Sequence, residues 1–145
     1  MPEVRELASG ESHLAAPALL ELRPHLETVE ALTARVDALR PGGYRLVGSF
    51  EPGDPVAAAV GGFRIADNLV LGRHLYVDDL VTRAALRGRG HADAVMAWIE
   101  AEARGEGCAV LHLDSGVQAE RAAAHRFYFR HGMRIASYHF SRALD

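Results

Sequence analysis

The sequence predicts an α/β domain with a mixed, mostly antiparallel sheet flanked by about four helices. Three observations carry this. The first half alternates two helical stretches with a run of β-branched, turn-punctuated segments, and the second half changes to strand, loop, helix, strand, helix, strand. At 145 residues with 49% apolar and 24% charged side chains, the chain has the size and composition of one soluble domain, 1–145, with a core that needs no disulfide or metal.

In chain order, residues 1–8 read as a short strand, followed by helical stretches at 12–22 and 25–39, the second ended by Pro41-Gly42-Gly43. Tyr44 to Phe50 reads as a strand, Glu51-Pro52-Gly53-Asp54 as a turn and Pro55 to Ile65 as the returning strand of a hairpin. Ala66-Asp67-Asn68 suggests another turn or bulge, after which Leu69 to Thr82 is one long or two short strands. Helix 88–104 is the clearest element, because Ala92, Val95, Met96, Ile99 and Ala103 share one face and Gly105-Glu106-Gly107 stops it. Cys108 to Leu113 reads as an apolar strand, 118–131 as a helix closed by Gly132, and Arg134 to Leu144 as a final strand.

Composition excludes several kinds of chemistry. All sixteen basic residues are Arg, so no lysine Schiff base, lysine base or P-loop lysine is available. One cysteine and eight scattered histidines give no zinc-site spacing, and no metal is expected. A net charge of −3 speaks against charge-driven binding to nucleic acid or to an anionic membrane. No apolar run is long enough to cross a bilayer, the first ten residues do not look like a signal peptide, and a cytoplasmic protein is expected.

The segment with chemistry joins a strand to the amphipathic helix: Val81-Thr82-Arg83-Ala84-Ala85-Leu86-Arg87-Gly88-Arg89-Gly90-His91-Ala92. A glycine-rich entry to a helix N-terminus, with unpaired amides and two arginines, suits a phosphate or pyrophosphate. A dinucleotide fingerprint fails, because Asp93 stands where its last small residue belongs. Arg87, Gly90 and Ala92 instead fit Arg/Gln-x-x-Gly-x-Gly/Ala. Downstream, Ala124-His125-Arg126-Phe127-Tyr128-Phe129-Arg130-His131-Gly132-Met133 fits Ala-x-x-Phe/Leu-Tyr-x-x-x-Gly-Phe/Met. With these two motifs the chain resembles the GNAT superfamily of acyl-CoA-dependent N-acetyltransferases. The likeness at residue level covers 76–133. It departs from many members at Arg121, where an asparagine commonly stands.

The resemblance implies a GNAT-like sheet and transfer of acetyl from acetyl-CoA to an amine by direct attack in a ternary complex. It implies that the amides of Arg87, Gly88, Arg89, Gly90, His91 and Ala92 cradle the pyrophosphate of the cosubstrate. Leu80, Val81 and Thr82 would offer strand-edge groups to its pantetheine arm, and Tyr128 would protonate the leaving thiolate. For the base that deprotonates the amine, Asp78 and Asp79 stand just before the pantetheine residues, Asp78 being placed ahead of Asp79. Strict alternation puts Asp78 on the face of Tyr76 and Leu80, and Asp79 on the face of Val77 and Val81.

The remaining histidines, His74, His112 and His139 on strands and His91, His125 and His131 at or in helices, are expected to be structural. Asp114-Ser115 reads as a turn or capping pair, since spacing alone puts no histidine beside Ser115. The acceptor, a small-molecule or a protein amine, is left open, as is a homodimer through the last strand or sheet edge. Glu21, Glu27, Glu30 and Asp37 on the N-terminal helices would suit a cationic amine and equally a solvated helix face. A catalytically silent CoA-binding sensor or partner-regulating module is the alternative function.

Overall fold

The computed structural model describes residues 2–145, so the first residue of the expected 1–8 strand lies outside the described residues. Contacts divide the chain into a unit ending at His112 and a unit from Leu113 to Asp145.

The larger unit opens with β1 (Glu3–Leu7), α1 (Ala16–Leu22) and α2 (Val29–Leu39), each helix preceded by a single 3₁₀ turn. Thr28 starts α2 because its side-chain oxygen accepts from the Ala31 amide at 3.0 Å, which satisfies one of the amides a helix start leaves orphaned. There follow β2 (Arg45–Phe50), β3 (Ala59–Asn68), β4 (Gly72–Thr82), α3 (His91–Gly105) and β5 (Val110–Leu113). The five strands lie in the order β1-β2-β3-β4-β5, and the first four are antiparallel neighbours. β5 runs parallel to β4, since Ala109 donates to the Arg73 carbonyl at 3.2 Å while the His112 ring meets His74 and Tyr76 further along. That crossover through α3 makes the sheet mixed, as the sequence predicts.

The helices divide between the two faces of the sheet. Val95, Met96, Ile99 and Ala103 of α3 are buried, the stripe its periodicity predicts. Gly61 lets α3 approach closely, because a Cβ there would stand 2.7 Å from Ile99 Cδ1. Its neighbour Gly62 faces the other way, toward Tyr44. On that side Leu19, Leu32, Val36, Tyr44, Leu46 and Val60 belong to one buried cluster.

Several boundaries differ from the sequence reading, and three of them have a clear local cause. β3 begins at Ala59 rather than Pro55, because Pro55 has no amide to donate and Asp54 instead turns the chain by accepting from the Val56 amide. The turn after β3 falls at residues 69–71 and not at Ala66-Asp67-Asn68. Asn68 Oδ1 accepts from the Leu71 amide at 2.8 Å and Gly72 takes a φ of 64°, so the side chain that signalled a turn acts one step downstream. α3 begins at His91 rather than 88, since Gly88 and Gly90 both sit at left-handed φ.

The smaller unit contains a 3₁₀ turn at Ala119–Arg121 and α4 (Ala122–Arg130), closed by Gly132 at a φ of 78°. The strand expected at 134–144 is not formed. Among the described residues no backbone hydrogen bond is made beyond Met133, and a strand exists only by pairing with a neighbour. His139, expected on that strand, lies in irregular chain, with its ring nitrogen 3.7 Å from Asp114.

Candidate active site

β4 runs into the loop ahead of α3. Leu80, Val81 and Thr82 are half-buried and pair on one edge with Gly61, Val60 and Ala59 of β3. Arg83 then leaves the sheet, its guanidinium held by Asp54 at 3.0 Å, and the Ala84 amide donates to Glu21 of α1 at 2.8 Å. After one 3₁₀ turn, residues 87–90 are exposed, with Gly88 at φ 79° and Gly90 at φ 85°. Among the described residues the amides of residues 87–92 donate to no carbonyl, and the first intrahelical bond runs from Ala94 to Gly90. A Cβ built on either glycine meets nothing within 4 Å. The result is a bare set of donors at the positive end of a helix of fifteen residues.

Two of the side chains around this loop are engaged elsewhere. His91 is buried, its Nδ1 2.7 Å from Ser49 Oγ and its Nε2 3.4 Å from Glu51, so it locks the start of α3 onto the end of β2. Arg89 pairs with Glu51 at 2.8 Å. The Arg89 guanidinium, and after it His91, holds the Glu51 carboxyl below the usual range. Arg87 has no ion-pair partner among the described residues and projects from the exposed loop. Nothing in the sequence flags the Ser49–His91 bond, because its partners are 42 positions apart on elements whose pairing only the fold creates.

On the opposite face of the sheet lies a cleft the sequence does not reveal. Gly62 pairs with Asp79 and Phe63 with Val77, which leaves Asp78 as the extra residue of a β-bulge. The bulge breaks the alternation and corrects the expectation that the two carboxylates part. Both lie on the side of Arg64, Tyr44 and Arg23. Asp78 is gripped by Arg64 through two bonds of 2.8 Å. Asp79, with 17% of its side chain exposed, accepts from Arg23 at 2.9 Å and from the Tyr44 hydroxyl at 2.8 Å. Burial, and then the charge of Asp79, drives the Tyr44 hydroxyl far above its ordinary range, so it remains a donor at neutral pH.

Two adjoining hollows open here. One, of about 460 Å³, is lined by Arg23, Leu39, Tyr44, Arg64, Asp78 and Asp79 among others. The second, of about 340 Å³, shares Arg23, Leu39, Tyr44 and Asp79 and extends under α2 past His25, Leu32 and Arg35. Of the acidic residues noted on the N-terminal helices, Glu21 is spent on the Ala84 amide and Asp37 accepts from the Ser12 hydroxyl at 2.7 Å. Neither they nor Glu27 and Glu30 line the hollows.

In the smaller unit, Tyr128 is half-buried on α4 with its ring edge-on to Phe127 at 5.8 Å. Burial raises its hydroxyl above the ordinary range, and the nearby Arg121 charge opposes the rise. The fold also brings a histidine to Ser115. His125 Nε2 lies 3.1 Å from Ser115 Oγ and 2.8 Å from the Gly116 carbonyl, so this nitrogen donates to the carbonyl and is not a base for the serine. No group of acidic, histidine or cysteine side chains suited to a metal occurs among the described residues, and no described helix is long and apolar enough to cross a membrane.

A mixed sheet with an open, glycine-bracketed helix entry after its fourth strand defines a class of acyl-transfer fold, and the comparisons agree. The acetyltransferase (GNAT) family model matches residues 10–133, so the chain belongs to the GNAT family and is an N-acetyltransferase. An uncharacterized N-acetyltransferase, YhdJ, of Bacillus subtilis is 31% identical, with 98% of this chain and 99% of the relative covered. Aminoalkylphosphonate N-acetyltransferase of Salmonella typhimurium is 34% identical over 68 residues, 47% of this chain and 43% of that protein. The solved aminoglycoside N-acetyltransferase AAC(6')-Iy, in complex with CoA, superposes with a TM-score of 0.81 over 99% of this chain and 95% of its own. At 15% identity that likeness is one of fold.

Proposed function

We propose that the protein transfers the acetyl group of acetyl-CoA to a primary amine by direct attack in a ternary complex. One observation carries the reading: six consecutive amides, 87–92, free of carbonyl partners and bracketed by glycines whose outer faces are open. This cradle of N–H donors, with Arg87 beside it, fits a pyrophosphate in both charge and reach. Leu80, Val81 and Thr82 are assigned to the pantetheine arm through main-chain pairing. The CoA complex of the aminoglycoside enzyme supports the same cosubstrate here.

Bound acetyl-CoA supplies the thioester carbonyl, at which the amine nitrogen forms a C–N bond as the C–S bond breaks. An ammonium has no lone pair, so the chain must first remove a proton. We assign this to the Asp78–Asp79 pair, with Asp79 foremost because it lines both hollows and keeps lone pairs beyond those used by Arg23 and Tyr44. Tyr128, still protonated at neutral pH, is assigned to return a proton to the leaving sulfur. No metal is invoked.

The experiment is thermal unfolding with acetyl-CoA, CoA or NAD, followed by thiol release in the presence of amines. At about 100 times its Kd a ligand stabilises the fold by about 2.7 kcal/mol, or roughly 5–11 °C at about 2–4 °C per kcal/mol for a chain of this size. A shift with both CoA species, absent with NAD, and thiol release that requires an amine are expected. A shift without thiol release for any amine would favour a silent CoA-binding module, and no shift would reject the cradle.

A further inference from the structure

The acceptor space formed by the two adjoining hollows carries more positive than negative charge, and the surplus is concentrated on one residue. Asp78 and Asp79 are its acids, and Arg64 and Arg23 neutralise them one to one. Both guanidiniums stay accessible, with 47% and 40% of their side chains exposed. A third, Arg35 of α2, lines the smaller of the two hollows, together with Arg23, Asp79, His25 and Leu39. Among the described residues Arg35 has no ion-pair or hydrogen-bond partner.

Resting on the acetyltransferase reading, we propose that the acceptor is a small amphoteric molecule, a primary amine that also bears an acidic group, with the amine at Asp79 and the acid at Arg35. The geometry favours this over a polycation for a simple reason. A polyamine or amino sugar with several ammonium groups would bring excess positive charge into the smaller hollow, which already holds two guanidiniums, Arg23 and Arg35, against the single carboxylate of Asp79. An amine without an acid leaves the Arg35 guanidinium unanswered. A molecule with one charge of each sign satisfies both ends, and a guanidinium's planar fork accepts carboxylate or phosphonate alike. Leu26, Leu32, Val36 and Leu39 give the hollow an apolar wall, which suits a short methylene chain between the two groups.

The test compares kcat/KM for β-alanine, 2-aminoethylphosphonate, n-propylamine and spermidine by thiol release, with the acetyl-CoA thermal shift recorded on the same protein. At least one of the two acids is expected to exceed propylamine and spermidine about tenfold or more, an effect of about 1.4 kcal/mol. Which acid leads separates a carboxylate from a phosphonate acceptor. In Arg35→Gln the ratio of acid to propylamine turnover is expected to collapse, mainly through KM for the acids, while the acetyl-CoA shift stays as in the parent. Arg35→Lys should restore part of it. Propylamine or spermidine matching both acids, an unchanged ratio in R35Q, or no turnover of any of the four despite a normal acetyl-CoA shift would overturn the proposal alone. A missing acetyl-CoA shift would instead strike the cosubstrate reading beneath it.

Discussion

The two faces of the larger unit build their sites from different materials. On the α3 side the cradle at 87–92 is made of backbone: amides, left-handed glycines and a helix end. On the α1–α2 side the hollows are made of side chains: those of residues 23, 44, 64, 78 and 79, tied by ion pairs and a phenol, with Arg35 beside them. Backbone recognition tolerates exchange of its side chains and fails when a Cβ or a charge blocks the approach. Side-chain recognition fails one partner at a time. A cosubstrate common to a family suits the first construction, and an acceptor that differs between enzymes suits the second.

The contrast can be broken at four places. Gly90→Asp should have the largest effect: it adds bulk and negative charge to the cradle, and acetyl-CoA-dependent stabilisation and thiol release should both vanish while the variant still unfolds cooperatively. Retention of the thermal shift in a folded G90D would mean that the backbone does not hold the cosubstrate. Tyr128→Phe comes next, with turnover at saturating substrate falling by about 10² to 10⁴ and the acetyl-CoA shift retained. Unchanged turnover would remove the residue from the chemistry. Gly62→Ala attacks only the side-chain face. Its new Cβ would stand 1.9 Å from the Tyr44 oxygen, so a loss of about 1–3 kcal/mol in denaturant and a raised acceptor KM are expected, with cosubstrate binding intact.

The smallest effect concerns Glu51. Its folded-state pKa lies below the ordinary 4.5, so its contribution to stability is present above that value and lost as pH falls through the folded pKa. Glu51→Gln should therefore lower the neutral plateau slightly and flatten the acid end of the stability profile, the parent and variant profiles converging as pH falls below about 4.5. An unaltered acid limb would show that the Arg89 and His91 contacts do not couple to folding.

Much of this was legible in the residues, for a physical reason. The cradle is a local object, set by Arg87, Gly88, Gly90 and Ala92 within one turn of each other, and α3 announces itself through a stripe every third or fourth residue. The hollow is not local. Tyr44 meets Asp79 across 35 positions, Arg23 meets it across 56, and the bulge that turns both aspartates to one side is a property of the β3–β4 pairing. Alternation applied to β4 alone therefore separated carboxylates that the paired sheet unites. The final strand failed for a related reason: Ile135, Tyr138, Phe140 and Leu144 have strand-like composition, but composition does not supply a ladder.

The bulge at Asp78 also marks where this protein can diverge most cheaply. Every other residue of β4 from Gly72 to Thr82 faces a counterpart on β3 and is bound to that neighbour's size and shape. Asp78 has no such counterpart, so an exchange there alters the charge of the hollow without asking the core to repack. Provided that Asp79, foremost of the pair, carries the proton transfer, acceptor preference is expected to drift first at Asp78 and at its clasp, Arg64, while the ladder on either side stays fixed.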